Sequence, residues 1–152
     1  MRAVIQRVLG AKALVNGTQA RSIGPGLLIL LGVKETDGVQ SCAKLAKKCA
    51  GLRIFEDAEG KMNFSALQLG YSAMVISNFT LYADTKKGKR PSFSQAAGPE
   101  LGEACYAEFV RQISGMGLRE VQTGEFGADM KIELTNDGPV TIVIDTDEWE
   151  KT

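Results

Sequence analysis

Two short polar stretches sit where the surrounding pattern would keep the chain apolar, and both carry groups able to do chemistry. Ser77-Asn78-Phe79-Thr80-Leu81 follows the apolar run Ala73-Met74-Val75-Ile76 directly. Strand alternation would place Ser77, Phe79 and Leu81 on one face, with Asn78 and Thr80 on the other. Two readings are open. The hydroxyls and the amide could satisfy neighbouring backbone groups, as such side chains commonly do. Alternatively, hydroxyls and the main-chain N–H groups around Phe79 and Thr80 could face a carbonyl whose oxygen becomes an oxyanion. The second stretch is Asn136-Asp137-Gly138-Pro139-Val140-Thr141. By pattern it is a hairpin connection, with Asp-Gly as the turn and Pro139 opening an edge strand. Yet a proline just after the turn lacks a ladder donor. Gly-Pro is also a pair that adopts the cis peptide, which marks a position needing special geometry.

Composition narrows the chemistry further. The chain has no histidine, which removes Ser-His-Asp and Cys-His machinery, histidine-ligated metals and any histidine base. An enzyme built this way must use carboxylates, lysines, hydroxyls, main-chain groups or the substrate itself. Cys42, Cys49 and Cys105 form no CxxC pair, and Cys42 and Cys49 lie two helical turns apart, so buried free thiols are expected rather than a disulfide or metal set. No metal and no cofactor is expected. The net charge is zero, so nucleic acid could be drawn only by a local patch. The densest is Lys86-Lys87-Gly88-Lys89-Arg90, which is either a solvated loop or a phosphate contact. No apolar run reaches the roughly 18 residues a membrane helix needs, and the N-terminus lacks a signal-peptide core, so a cytoplasmic protein is expected.

The elements that must position these stretches follow from periodicity. Residues 2–9 read as a strand, and Ala13-Leu14-Val15 before Asn16-Gly17 as a second strand entering a hairpin turn. Leu27-Leu28-Ile29-Leu30-Leu31, after Gly24-Pro25-Gly26, reads as a buried strand over 27–33. Thr36-Asp37 offers a cap for a helix whose core side is Val39, Cys42, Leu45, Ala46, Cys49 and Leu52, with Lys44, Lys47 and Lys48 on its other faces. Asp57-Ala58-Glu59-Gly60 is a turn. Pro99 suits the start of a second helix, with Leu101, Cys105, Phe109 and Ile113 facing the core and Gly115 and Gly117 ending it. Met130, Ile132 and Leu134, then Val140, Ile142 and Ile144, predict two strands joined near Asn136-Asp137-Gly138. The expected class is α+β: one domain over residues 1–152, with a mixed, largely antiparallel β-sheet or barrel-like core and two main helices.

The chain resembles the D-aminoacyl-tRNA deacylases along nearly its whole length. The resemblance rests on Val4-Ile5-Gln6-Arg7-Val8, Gly26-Leu27-Leu28, Leu31-Gly32-Val33, Arg53-Ile54-Phe55, Gly60-Lys61-Met62-Asn63, Arg90-Pro91-Ser92-Phe93 and the two polar stretches. The family's usual glutamine is Asn78 here, and the tail Asp145-Thr146-Asp147-Glu148-Trp149-Glu150 runs past where many relatives stop. The resemblance implies hydrolysis of the ester joining a D-amino acid to the terminal adenosine of tRNA, extending to glycine mischarged on alanine tRNA. It implies a homodimer in which the Gly-cis-Pro of one subunit enters the site of the other. Carried over, Gly138 and Pro139 screen chirality and Arg7 fixes their orientation. Ser77, Asn78, Phe79 and Thr80 line the opposite wall, and Phe93 and Met130 join the substrate-binding residues. Lys86, Lys87, Lys89 and Arg90 are expected to contact the acceptor stem. Aminoacyl-tRNA is the expected partner, with no DNA and no membrane.

Two mechanisms fit a site without histidine. In one, the 2′-hydroxyl of the terminal ribose positions the attacking water; in the other, Thr80 is a covalent nucleophile, although no lysine or carboxylate is adjacent in sequence to activate it. Two rivals differ in function. A sibling deacylase would carry the same Gly-Pro in trans and remove L-amino acids, and a noncatalytic module would merely bind aminoacyl-tRNA or an amino acid.

Overall fold

Alternation along Ala3, Ile5 and Arg7 against Val4, Gln6 and Val8 does make a strand, but a longer one than expected. In the computed structural model, which describes residues 1–150, β1 (Arg2–Val15) runs unbroken through both predicted segments. A register irregularity at Leu9 absorbs the change of pattern and leaves that side chain exposed. The hairpin at Asn16-Gly17 leads to β2 (Gln19–Ile23), and β3 (Gly26–Gly32) follows. The first half of β1 pairs with β3 and the second half with β2, both antiparallel.

A single 3-10 turn, Val39–Ser41, precedes α1 (Cys42–Gly51). The expected Thr36-Asp37 cap is therefore not made, and Val39 is exposed rather than in the core. Asp37 has stronger partners: it accepts the buried α-ammonium of Met1 at 2.9 Å and the Lys34 N–H at 2.6 Å. The short hairpin of β4 (Phe55–Glu56) and β5 (Met62–Phe64) encloses the predicted turn. Next comes α2 (Ala66–Leu69), missed by periodicity because it is one turn long; Ser65 and Gln68 close a capping box around it.

β6 (Ser72–Ser77) lies parallel to β3. As predicted, α3 (Pro99–Ser114) begins at Pro99 and stops at Gly115. β7 (Val121–Thr123) extends the sheet parallel to β6, and β8 (Met130–Asp145) returns antiparallel along the whole of β1. The sheet is mixed, in the order β2-β1-β3-β6-β7 with β8 on β1, and its end strands β2 and β7 come into contact, so it nearly closes into a barrel.

Each sheet face has its own core. Ala3, Ile5, Leu27, Ile29, Leu31 and Val75 pack under α1 and α3 against Leu45, Cys49, Cys105, Phe109 and Ile113. Val8, Ala13, Ile23, Leu28, Met74 and Ile76 form the second core on the opposite face. Cover on both faces explains why β3 is apolar without alternation. The three cysteines are buried free thiols, and burial pushes Cys42 and Cys49 up to about 12. The tail to which sequence assigned no role closes over the N-terminus. Asp145 pairs with Arg2, Thr146 accepts the Met1 ammonium at 2.7 Å, Asp147 pairs with Lys34 and Trp149 lies under Lys44.

Candidate active site

The strand alternation expected beyond Ser77 does not occur, because β6 stops there. The Asn78 N–H makes a last ladder-like bond to the Leu31 carbonyl at 2.8 Å, and residues Phe79–Tyr82 turn into a 3-10 helix. Asn78 is its cap. Its Oδ1 accepts the Thr80 N–H at 3.2 Å and the Thr80 hydroxyl as well. The backbone-satisfying reading is thus correct for Asn78, whereas the Thr80 hydroxyl bonds the Asn78 side chain. It has a consequence for chemistry. The Thr80 N–H is already engaged, whereas the Phe79 N–H, first in the turn, has no acceptor among the described residues. The expected pair of oxyanion donors is reduced to one free main-chain N–H, at Phe79. The Thr80 hydroxyl donates to an amide oxygen, and among the described residues it bonds to no lysine or carboxylate.

A cavity of about 440 Å³ opens beside this turn, walled by Ser77, Asn78, Phe79, Pro99, Phe126 and Met130. A neighbouring one of about 430 Å³ is walled by Gln6, Leu28, Leu30, Ile132 and Leu134. They share Ser77, Asn78, Ala128 and Met130, so the end of β6 and Met130 stand between two lobes. Phe93 lines neither lobe but meets the exposed Phe79 ring edge-on, 5.1 Å between centroids. The basic run is an exposed loop whose base is closed by paired backbone bonds between Asp84 and Ser92, next to Phe93. Sequence reasoning missed Pro99, Phe126 and Ala128 as wall residues. An aromatic between Gly124 and Gly127, just before a strand, was the available signal.

The second polar stretch is not a hairpin. Asn136 faces Val8 and Thr141 faces Gln6, so Arg7 alone stands opposite residues 137–140 in a bulge of one continuous strand. The mouth of the bulge is closed by Asn136, whose Oδ1 accepts the Val140 N–H at 2.9 Å while its amide donates to the Thr141 hydroxyl. Gly138 adopts φ +132°, and a Cβ there would come within 3.0 Å of the Val140 nitrogen, so only glycine fits. The Gly138–Pro139 peptide is cis. Arg7, 6% exposed, donates through Nε to the Asp137 carbonyl at 3.0 Å and through Nη1 to the Ile54 carbonyl at 2.8 Å. The carboxylates of Asp137 and Glu56 lie 3.5 and 3.7 Å from the guanidinium. Gly138 and Pro139 themselves are exposed and line neither lobe.

One chain therefore assembles Ser77, Asn78, Phe79, Thr80, Phe93 and Met130 in one place and Arg7, Gly138 and Pro139 in another. Among the described residues no cluster of histidine, cysteine and carboxylate could hold a metal. A free main-chain N–H beside a two-lobed cavity is a donor available to an oxygen bound there.

Comparison with known proteins agrees. The model of the D-Tyr-tRNA(Tyr) deacylase family matches residues 4–145. The D-aminoacyl-tRNA deacylase of Anaeromyxobacter dehalogenans is 51% identical over 146 residues, covering 96% of this chain and 97% of that protein. That of Bacteroides thetaiotaomicron is 50% identical over 150 residues, covering 99% and 100%. The solved structure of the c-Myc DNA Unwinding Element Binding Protein superposes with a TM-score of 0.89 at 36% identity, covering 95% of this chain and 98% of that one. The chain belongs to the D-Tyr-tRNA(Tyr) deacylase family of hydrolases.

Proposed function

We propose that this enzyme hydrolyses the ester of D-aminoacyl-tRNA, and of glycine mischarged on alanine tRNA, releasing the amino acid and free tRNA in the cytoplasm. The observation that carries the reading is the free Phe79 N–H at the wall of the cavity; the one carboxylate on the second lobe among the described residues, Asp129, is paired with Lys131. Water adds to the ester carbonyl, the oxyanion accepts the Phe79 N–H, and the ribose oxygen leaves with the proton. The 2′-hydroxyl of the terminal ribose positions that water. Thr80 is a poor rival because its hydroxyl is spent on Asn78 Oδ1 and has no base. Thr80→Ala is expected to keep turnover within about tenfold, a barrier change near 1.4 kcal/mol. Near-complete loss with substrate binding intact would restore the nucleophile.

Chirality is screened by the Gly138–Pro139 turn of a second copy. The Gly138 and Pro139 carbonyls, in a turn that Arg7 braces through the neighbouring Asp137 carbonyl, accept the substrate ammonium and leave no room for a β-carbon of L configuration. Two features support a homodimer. The turn is exposed and separate from the cavity of its own chain. At the edge of the second core, Val143, Val4 and Leu30 also form an apolar row across three strands, with Val143 64% exposed. Glycine lacks a β-carbon and passes the screen. The basic loop beside Phe93 holds acceptor-stem phosphates, Phe93 stacks near the terminal adenine, and tRNA rather than DNA is the partner.

Incubation with D-tyrosyl-, L-tyrosyl- and glycyl-tRNA tests the reading. Release of D-tyrosine and glycine with L-tyrosyl-tRNA untouched is the expected result. Preferential L-hydrolysis would assign the sibling activity, and retention of all three without hydrolysis would make the chain a binding module.

A further inference from the structure

Both lobes of the cavity touch one segment, Phe126, Gly127, Ala128 and Met130 lining the first and Ala128, Asp129 and Met130 the second, and the chain pins that segment from outside the site. Arg21, on β2, has no role in the chemistry described above. Its Nη1 donates to the carbonyls of Thr123 at 2.8 Å and Gly124 at 2.9 Å, the point where the chain leaves β7. At the other end, the Asn16 N–H of the same β1–β2 hairpin donates to the Asp129 carbonyl at 2.8 Å. Midway, the Phe126 ring rests on α3, where Gly102 leaves it space: a Cβ there would come within 3.3 Å of Phe126 Cζ. At Gly124 a Cβ would push the end of the Met130 side chain, whose Sδ would lie at 2.3 Å. Backbone carbonyls on a connecting segment normally turn to water. Two of them drawn onto one guanidinium, with a third bond from the same hairpin, describe a wall held to a set shape.

We infer that Arg21 is a positioning residue for the deacylation: the β1–β2 hairpin, through Arg21 and the Asn16 amide, holds residues 124–129 so that Phe126, Ala128 and Met130 fit the charged 3′ end. This rests on the cavity being where that end binds. A wall that must first be ordered weakens substrate binding, while leaving the Phe79 donor in place once substrate is bound. The effect belongs in KM rather than kcat.

The test compares the wild type with Arg21→Ala, Arg21→Lys and Gly102→Ala, by steady-state kinetics on D-tyrosyl-tRNA and by amide hydrogen exchange. Arg21→Ala should raise KM about tenfold, as loss of charge-assisted bonds would, with kcat within about twofold. Exchange at the Gly124 and Ala128 amides should quicken while β3 stays protected. Arg21→Lys, which keeps the charge and one donor, should recover part of both effects. Gly102→Ala suits a helix and should fold well, yet it displaces Phe126 from the far side and should also raise KM with Arg21 intact. Unchanged exchange at Gly124 and Ala128 in Arg21→Ala overturns the pinning. Faster exchange with KM unmoved overturns its bearing on substrate. A wild type inactive on D-tyrosyl-tRNA would instead count against the proposed activity, and the exchange data would still decide the pinning.

Discussion

The end of β6 and the bulge in β8 both break a strand with polar residues, yet they are held by opposite means. At residues 77–80 the hold is local. Asn78 captures the Thr80 N–H and hydroxyl two residues on, and the distant bonds, from the Asn78 N–H to the Leu31 carbonyl and from Arg2 to the Leu81 carbonyl, flank that cap rather than form it. At residues 137–140 the hold is long-range. Arg7, 130 residues away, bonds to the Asp137 carbonyl and ties it through a second nitrogen to Ile54, on another part of the chain. The difference teaches where each motif is vulnerable. The turn at Phe79 is set first by its own residues, whereas the Gly138–Pro139 turn fails if the tertiary structure behind it loosens.

The largest break is expected at Arg7. Arg7→Ala strands two carbonyls and two carboxylates, and a broken buried pair typically costs 3–5 kcal/mol. Because Glu56 and Asp137 are about half exposed, water relieves them, and the lower figure of about 3 kcal/mol is expected from urea unfolding. D-tyrosyl-tRNA hydrolysis should be lost even at temperatures where the variant is folded. Gly138→Ala strikes the same turn without touching its anchor. At φ +132° with the Val140 nitrogen in the way, an added methyl forces the turn aside, and a displacement of about 1 Å can cost roughly 100-fold in rate. Discrimination between D- and L-tyrosyl-tRNA should fall with it. If rate falls and discrimination holds, the turn does not read chirality.

On the local side the effects should be smaller. Asn78→Ala removes one cap, about 1 kcal/mol in stability, and should slow turnover about tenfold by loosening the Phe79 N–H. Asn78→Gln, which keeps the amide and adds one methylene, should stay close to the wild type; a loss as large as that of alanine would mean that the shorter amide is matched to this chain. The smallest effect on chemistry is expected from neutralising Lys86, Lys87, Lys89 and Arg90 together. Their loop is fully exposed, so kcat should be unchanged. Affinity for tRNA should weaken and lose salt dependence, by roughly 0.7–0.9 in the log–log slope for each phosphate contact removed.

Much of this was legible in the chain. Pro99 and the four-residue spacing of Leu101, Cys105, Phe109 and Ile113 announced α3, and the unbroken apolar run of β3 announced a strand covered on both sides. The errors share a cause. Alternating segments on either side of Asn136-Asp137-Gly138-Pro139 look like the arms of a hairpin, and only the length of β1 shows that both arms pair with the same partner. Asp37 resembles a helix cap until the Met1 ammonium arrives beside it. Ser77 to Leu81 resembles a continuing strand until Asn78 folds back on Thr80.

What the sequence by itself determined was composition and local preference. No histidine meant no histidine chemistry, the apolar periods set where strands and helices lie, and the matched motifs named the family. Tertiary structure decided which N–H of the polar stretch stays free and why Gly138 must be glycine. It also put the Gly138–Pro139 turn outside the cavity of its own chain and set Arg21 behind the cavity wall. The physical reason is range. Periodicity and turn preference act over a few residues, whereas a cavity, a buried guanidinium and a bulge are relations between segments that meet only after the sheet has formed.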